Sequence, residues 1–302
     1  MGWLQLRLVA AADRIEALED ALLDAGALSV TLGDHHDTPI LEPGVGETPL
    51  WPVVELSALF DENADPAEVS TTLTGATGGD TATTVHWEHI ADRAWEREWL
   101  QHFRPLCFGE HFWVCPSGMT VSDPGATVLH LDPGLAFGTG THPSTALCLQ
   151  WLADNPPVNA RVIDYGCGSG ILGIAAVLLG ASHVQAVDID EQALLATRDN
   201  ATRNALPHGS LEACSPDQLG RSEPADLLLA NILAGPLIEL APRLARLLRP
   251  GATAVLSGVL HEQAAQVRAA WAPWFDHIST LEHETWCRIE LQRSPDAALR
   301  AR

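Results

Sequence analysis

The segment Asp164-Tyr165-Gly166-Cys167-Gly168-Ser169-Gly170 sets glycines at every second position directly behind an apolar run. Glycine is needed where the backbone takes positive φ, or where a ligand must lie against main chain with no Cβ between them. A helix beginning just beyond such a loop presents N–H groups that have no intrahelical partner. Asp188 closes a second apolar run, HVQAVDID, 22 residues after Gly166. At that place a carboxylate can accept hydrogen bonds from both hydroxyls of a ribose. Asp190, two positions on, has a simpler use as the N-cap of the next helix. A tight strand-to-helix turn also uses glycine, so the loop alone is a weak signal. Loop and acid together point to a nucleoside.

A dinucleotide site would read Gly-x-Gly-x-x-Gly, but the third glycine here is Gly170, one place early, and Ile171 stands where that pattern needs glycine. This argues against a nicotinamide oxidoreductase. Acid-x-Gly-x-Gly-x-Gly after the first strand instead resembles the S-adenosylmethionine loop of the Rossmann-like methyltransferases. Upstream, LDPGLAFGTGTHPST (131–145) carries glycines, hydroxyls and His142 into a helix start, a setting that suits a carboxylate such as a methionine tail. The plainer use is a helix cap, with Ser144 or Thr145 as the capping residue. The run DLLLAN ends the expected fourth parallel strand in Asn231. Ligands of open α/β sheets bind beyond the carboxyl ends of the strands, so Asn231 should face the same crevice as Gly166 and Asp188.

Strands and helices must hold these residues. Residues 1–88 read as strand, helix, strand, loop, strand, helix, strand, the order of a small ferredoxin-like α+β sandwich. ADRAWEREWLQHF follows as a charged helix linking two domains (89–103). From Arg104 the pattern alternates: RVIDYG then ILGIAAVLLGA, HVQAVDID then EQALLATRDNATRNA, ADLLLAN then PLIELAPRLARLLRPG, ATAVLSGVL then HEQAAQVRAAW. Such alternation predicts a mostly parallel, doubly wound sheet of the α/β class, a Rossmann-like domain spanning 104–302. The closing HETWCRIELQR is expected as an added edge strand.

Composition removes other chemistries. All 17 basic residues are arginine, which excludes a P-loop lysine, a Schiff-base lysine and any lysine general base. The formal charge of −22 opposes nucleic-acid backbone binding. Residues 1–88 hold Arg7 and Arg14 against sixteen acids, a balance of −14, leaving −8 for the remainder. That asymmetry suits either a basic partner for the first domain or salt adaptation. The six cysteines form no C-x-x-C pair, consistent with a reduced cytoplasmic chain. No signal peptide and no membrane span is expected. Neither His35/His36 nor His86/His89 has a third ligand at a convincing spacing, so no metal is expected.

Taken together, LDPGLAFGTGTHPSTALCLQWL, VIDYGCGSGILGIAA, DIDEQALLATRDNATRN, ANILAGPL, LSGVL and ETWCRI, with DTPILEPGVGETPLW and WEREWL nearer the N-terminus, closely resemble the ribosomal protein L11 methyltransferase family. The resemblance covers nearly the whole chain, with Ser144 where many members have threonine. It implies a class I, S-adenosylmethionine-dependent protein methyltransferase that trimethylates the N-terminal α-amine and lysine ε-amines of ribosomal protein L11. It implies cofactor contacts at Thr145, Gly166, Asp188 and Asn231, with Gly168 and His142 as neighbours, and no dedicated general base. Asn231 would align the substrate amine, the acidic first domain would bind the basic substrate, and the chain would act as a monomer. The alternatives are a methyltransferase for another protein or a small molecule, and a non-catalytic nucleotide-binding module.

Overall fold

The computed structural model describes residues 2–36, 49–76, 85–91, 104–132, 141–219 and 223–295. The chain divides into two compact units, Met1–Glu98 and Trp99–Arg302.

The first unit runs β1 (Gly2–Ala11), α1 (Ile15–Asp24), β2 (Ser29–Asp34), β3 (Val53–Asp61), α2 (Pro66–Ala76) and β4 (His86–Ala91). Its strands pair antiparallel in the order β2-β3-β1-β4. The alternation in the sequence becomes one buried face. Leu4, Leu6 and Leu8 of β1 lie opposite Phe60, Ala58 and Leu56 of β3, and all six are buried against Ile15, Leu18 and Leu22 of α1 and Val69 and Leu73 of α2. Each fully buried leucine of this set stabilises the unit by ~1.5–3 kcal/mol. β4 runs through position 88, so this sheet continues past the boundary expected there. Residues 89–91, expected to open a helical linker, are strand because they hydrogen-bond with Gly2–Leu4 of β1. The rest of that segment, 92–103, lies outside the described residues.

The second unit opens with a small sheet, β5 (Leu106–Phe108), β6 (Phe112–Cys115) and β7 (Thr127–His130). The alternating part follows: α3 (Pro143–Asp154), β8 (Arg161–Tyr165), α4 (Ile171–Leu178), β9 (His183–Val187), α5 (Glu191–Arg203), β10 (Leu211–Cys214), β11 (Ala225–Asn231), α6 (Ala234–Arg246), β12 (Leu248–Leu260), α7 (Ala264–Trp271), β13 (Phe275–His283) and β14 (Trp286–Arg293). The seven strands lie in the order β10-β9-β8-β11-β12-β14-β13. The first five are parallel to one another, and β14 runs antiparallel to both of its neighbours, β12 and β13. Both faces are covered: Leu227 and Leu229 of β11 pack in one core, Leu228 and Ala230 in the other. The terminal strand is a correction to the expectation, because β14 is internal and the edge belongs to β13. Cys287, Ile289 and Leu291 are buried in β14, whereas β13 reads FDHISTLEH with a mostly open surface. An edge strand that polar carries little hydrophobic periodicity. β5, β6, β7 and β10, three or four residues each, are too short to show any.

The chain leaves β8 for β9 on one side and later returns to β11 on the other, so the order reverses between β8 and β11. Gly166, Asp188 and Asn231 stand at the carboxyl ends of β8, β9 and β11, at the crevice where such sheets bind ligands.

Candidate functional site

Gly166, Gly168 and Gly170 all have positive φ, +74°, +53° and +79°. That conformation explains why glycine occupies every second place. Gly166 N and Cys167 N both donate to Val187 O, at 2.7 and 3.0 Å, tying the loop to the end of β9. Asp188 lies just beyond that end. Its Oδ2 accepts from Gly168 N at 2.9 Å and its Oδ1 from Asp190 N at 3.0 Å. Asp190 caps α5, accepting from Gln192 N at 2.9 Å, the use its position suggested.

Asp164 is buried at 1% exposure beneath the loop and accepts from Gly173 N at 2.8 Å. Burial pushes its pKa up to about 7, the Gly173 hydrogen bond opposes the shift, and the nearby Asp188 charge adds to it.

On the other side, Asn231 Nδ2 donates to Thr145 Oγ1 at 3.1 Å, joining two expected site residues 86 positions apart. His142, not Ser144 or Thr145, is the N-cap of α3: its Nδ1 accepts from Ser144 N at 3.3 Å and pairs with Ser144 Oγ at 2.7 Å. The ring stands edge-on to Trp286, with centroids 4.8 Å apart. Burial lowers the His142 pKa against the pull of Glu284, and a neutral imidazole is what Nδ1 needs to act as acceptor.

Two residues of LSGVL complete this wall and had no assigned role. Ser257, fully buried, has its Oγ 3.1 Å from Ser144 O and 3.0 Å from Cys287 O, bracing the start of α3 against β12 and β14. Gly258 has φ +76°, and a Cβ there would fall 2.6 Å from Ile232 O, so β12 can pass the turn after Asn231 only with glycine. A glycine inside an apolar strand was the signal available in the sequence.

A cavity of about 1120 Å³ opens between these features, lined among others by Gly166, Gly168, Asp188, Asn231 and the apolar Ile189 and Leu233. Thr145 and His142 are not among the described residues on its walls; Thr145 reaches it through Asn231. Residues 133–140, the glycine-rich centre of the 131–145 motif, lie outside the described residues.

A family model described as ribosomal protein L11 methyltransferase (PrmA) matches residues 2–294. The chain belongs to the ribosomal protein L11 methyltransferase family. It is 50% identical over 289 residues to the ribosomal protein L11 methyltransferase of Cellvibrio japonicus, covering 96% of this chain and 98% of that one. The Pseudomonas aeruginosa (strain LESB58) member is 50% identical over 296 residues, covering 98% and 100%. A crystal structure of ribosomal protein L11 methylase from Lactobacillus delbrueckii subsp. bulgaricus superposes with TM-score 0.58 at 29% identity, covering 64% of this chain and all of that one. For this member of the family, Gly166, Gly168, Asp188 and Asn231 line one crevice, and Thr145 is bonded to Asn231.

No helix among the described residues is long and apolar enough to cross a membrane.

Proposed function

We propose that this chain transfers methyl groups from S-adenosylmethionine to the N-terminal α-amine and lysine ε-amines of ribosomal protein L11, up to trimethylation. The observation that carries the reading is the hydrogen bond that Asn231, which lines the glycine-loop cavity, donates to Thr145. It anchors the Asn231 amide by its nitrogen and leaves the carbonyl oxygen as an acceptor for an incoming N–H.

The residues present fit an adenosyl donor. An ionised carboxylate has about four acceptor sites, and Asp188 uses two on Gly168 N and Asp190 N, leaving capacity for two ribose hydroxyls. Ile189, 89% exposed beside it, offers an apolar face to a base. Gly166 and Gly168 would meet the donor through main chain, with Thr145 and His142 at its methionine end. Small-ligand pockets span about 300–1,000 Å³, so this cavity has room for a nucleoside donor and the tip of a substrate chain.

When bound, the donor supplies an electrophilic methyl on a sulfonium. The protein's task is to deliver a neutral amine in line with it. A free lysine amine has a pKa of ~10.4, so less than ~0.1% is neutral at pH 7. Desolvation in the crevice, beside a positive charge, shifts that balance toward the amine. Asn231 Oδ1 and the backbone carbonyls after it accept the amine's N–H groups and aim its lone pair. No side chain of the site is needed as a base. The first domain, at −14 over residues 1–88, attracts the basic substrate, and the chain acts as a monomer in the cytoplasm, where ribosomal proteins are made.

Mass spectrometry of ribosomal protein L11 after incubation with the enzyme and donor tests this directly. Stepwise methyl increments on the N-terminus and lysines are expected. An unmodified substrate, with donor binding intact by calorimetry, would overturn the substrate assignment.

A further inference from the structure

The inner face of α5 bears polar side chains where leucines would bury as well. Thr197 is fully buried and Asn200 is 8% exposed; with Asn204, the C-cap of the helix, they stand three and four residues apart, on one side of it. Each is directed at main chain. Thr197 Oγ1 donates to Gly168 O at 3.1 Å, and Asn200 Nδ2 donates to Ser169 O at 2.9 Å. Asn204 grips both polar groups of one β7 residue: its Oδ1 accepts from His130 N at 2.7 Å and its Nδ2 donates to His130 O at 2.8 Å. Arg203 Nη1 donates to Asn200 Oδ1 at 2.8 Å, which turns the Asn200 Nδ2 toward Ser169. The Arg203 guanidinium also lies 3.9 Å from Asp132, whose Oδ1 accepts from Ser117 N at 2.7 Å.

Gly168, Ser169 and Asp132 all line the cavity, as do Asn200 and Arg203. One helix therefore grips two walls, the glycine loop and the exit of β7, by their backbone. Threonine and asparagine are poorer helix formers than leucine because their side chains compete for backbone hydrogen bonds, so this face does not follow from making a stable helix. A trans peptide points its C=O and N–H in opposite directions. Turning the Gly168 carbonyl to Thr197 consequently turns the Ser169 N–H away from α5.

We propose that α5 is a positioning element for the methyl donor, with Thr197, Asn200, Arg203 and Asn204 holding the glycine loop and the end of β7 at the separation the donor requires. This rests on the reading of the cavity as the donor site. None of the four carries the chemistry in this scheme; Thr197 and Asn204 act only through the loop and strand they hold, while Asn200 and Arg203 also line the cavity.

The test uses the full chain, with S-adenosylmethionine affinity by calorimetry and melting temperature read side by side. Thr197→Val keeps the shape and removes the hydroxyl; Thr197→Ser keeps the hydroxyl and removes the methyl. Positioning predicts a donor Kd about tenfold higher in Thr197→Val, the effect of one lost buried hydrogen bond, and near wild-type affinity in Thr197→Ser. Simple packing predicts the reverse. Arg203→Met changes a partly exposed side chain, so the fold should persist while Kd rises about threefold; Asn204→Leu, off the cavity wall, should raise it as well and decides the matter if Thr197→Val does not fold. Asp188→Ala reports on the donor reading itself. Weakened binding in Asp188→Ala with wild-type Kd in Thr197→Val, Arg203→Met and Asn204→Leu would overturn the positioning role. Unchanged binding in Asp188→Ala would overturn the donor reading, and this inference with it.

Discussion

The two larger sheets of this protein solve burial differently. In the four-stranded sheet of the first unit, helices cover one face, and the other carries Gln5, Arg7, Ser57 and Glu88, linked by Gln5–Ser57 and Arg7–Glu88 contacts. In the seven-stranded sheet, β8, β9 and β11 are buried on both faces. A sheet with a bare face can offer that face to a partner. A sheet covered on both sides has only its strand ends for polar work, and Gly166, Asp188 and Asn231 stand at such ends. The function proposed above uses this difference, with partner binding on the surface of one unit and chemistry at the edge formed by the strand ends of the other.

The hardest blow to that division comes from Asn231. Asn231→Ala should lower single-turnover methyl transfer by ~10²-fold or more, the scale for losing near-attack geometry, with little change in melting temperature. Asn231→Asp should lose rate as well and move the pH optimum upward, because a nearby negative charge raises the amine pKa. Near wild-type transfer in Asn231→Ala would take the chemistry away from this edge. Gly258→Ala attacks the same edge through the backbone. Strain at φ +76° and a contact with Ile232 O should together destabilise the unit by ~2–3 kcal/mol, visible in denaturant unfolding; an unchanged midpoint would show that the turn can relax. Asp188→Ala removes a charged acceptor worth ~1.5–3 kcal/mol, so donor affinity should fall ~10–100-fold by calorimetry.

A smaller effect concerns pH. The folded pKa of Asp164, raised to about 7, lies above its ordinary 3.8. Its contribution to stability is therefore fully present below pH 3.8 and is lost as pH rises toward about 7. The melting temperature of wild type should decline across that window relative to Asp164→Asn, which can still accept from Gly173 N. Parallel profiles for the two proteins would mean that Asp164 titrates normally. The mildest test addresses the first unit: raising salt from tens to hundreds of millimolar should slow methylation at low substrate several-fold if its acidic surface steers a basic partner, and a salt-independent rate would leave that charge without a role in recognition.

Most of the fold was legible where strands and helices are long. β1, β3, β8 and β11 follow directly from period-two alternation or continuous apolar runs, and the glycine loop, Asp188 and Asn231 stand at the strand ends that spacing assigned them. What stayed hidden has physical causes. β13 is a polar edge, and β5, β6, β7 and β10 are shorter than a period. His142 as the cap of α3 was missed because capping depends on a ring nitrogen meeting a backbone N–H, whereas residue type alone favours Ser or Thr.

The sequence by itself determined the local form of the glycine loop and the acid beside it, since positive φ at alternate positions and an acid behind the next strand are local requirements that residue order records. Only the tertiary structure decided which wall each residue supports. Thr145 meets Asn231, Ser257 braces Ser144, and α5 grips both Gly168 and His130, across separations of 29 to 113 residues. Such pairings depend on strand order and on which helix face turns inward. No local rule fixes them, because a hydrogen bond between distant segments is chosen only when the packed core has already brought those segments together.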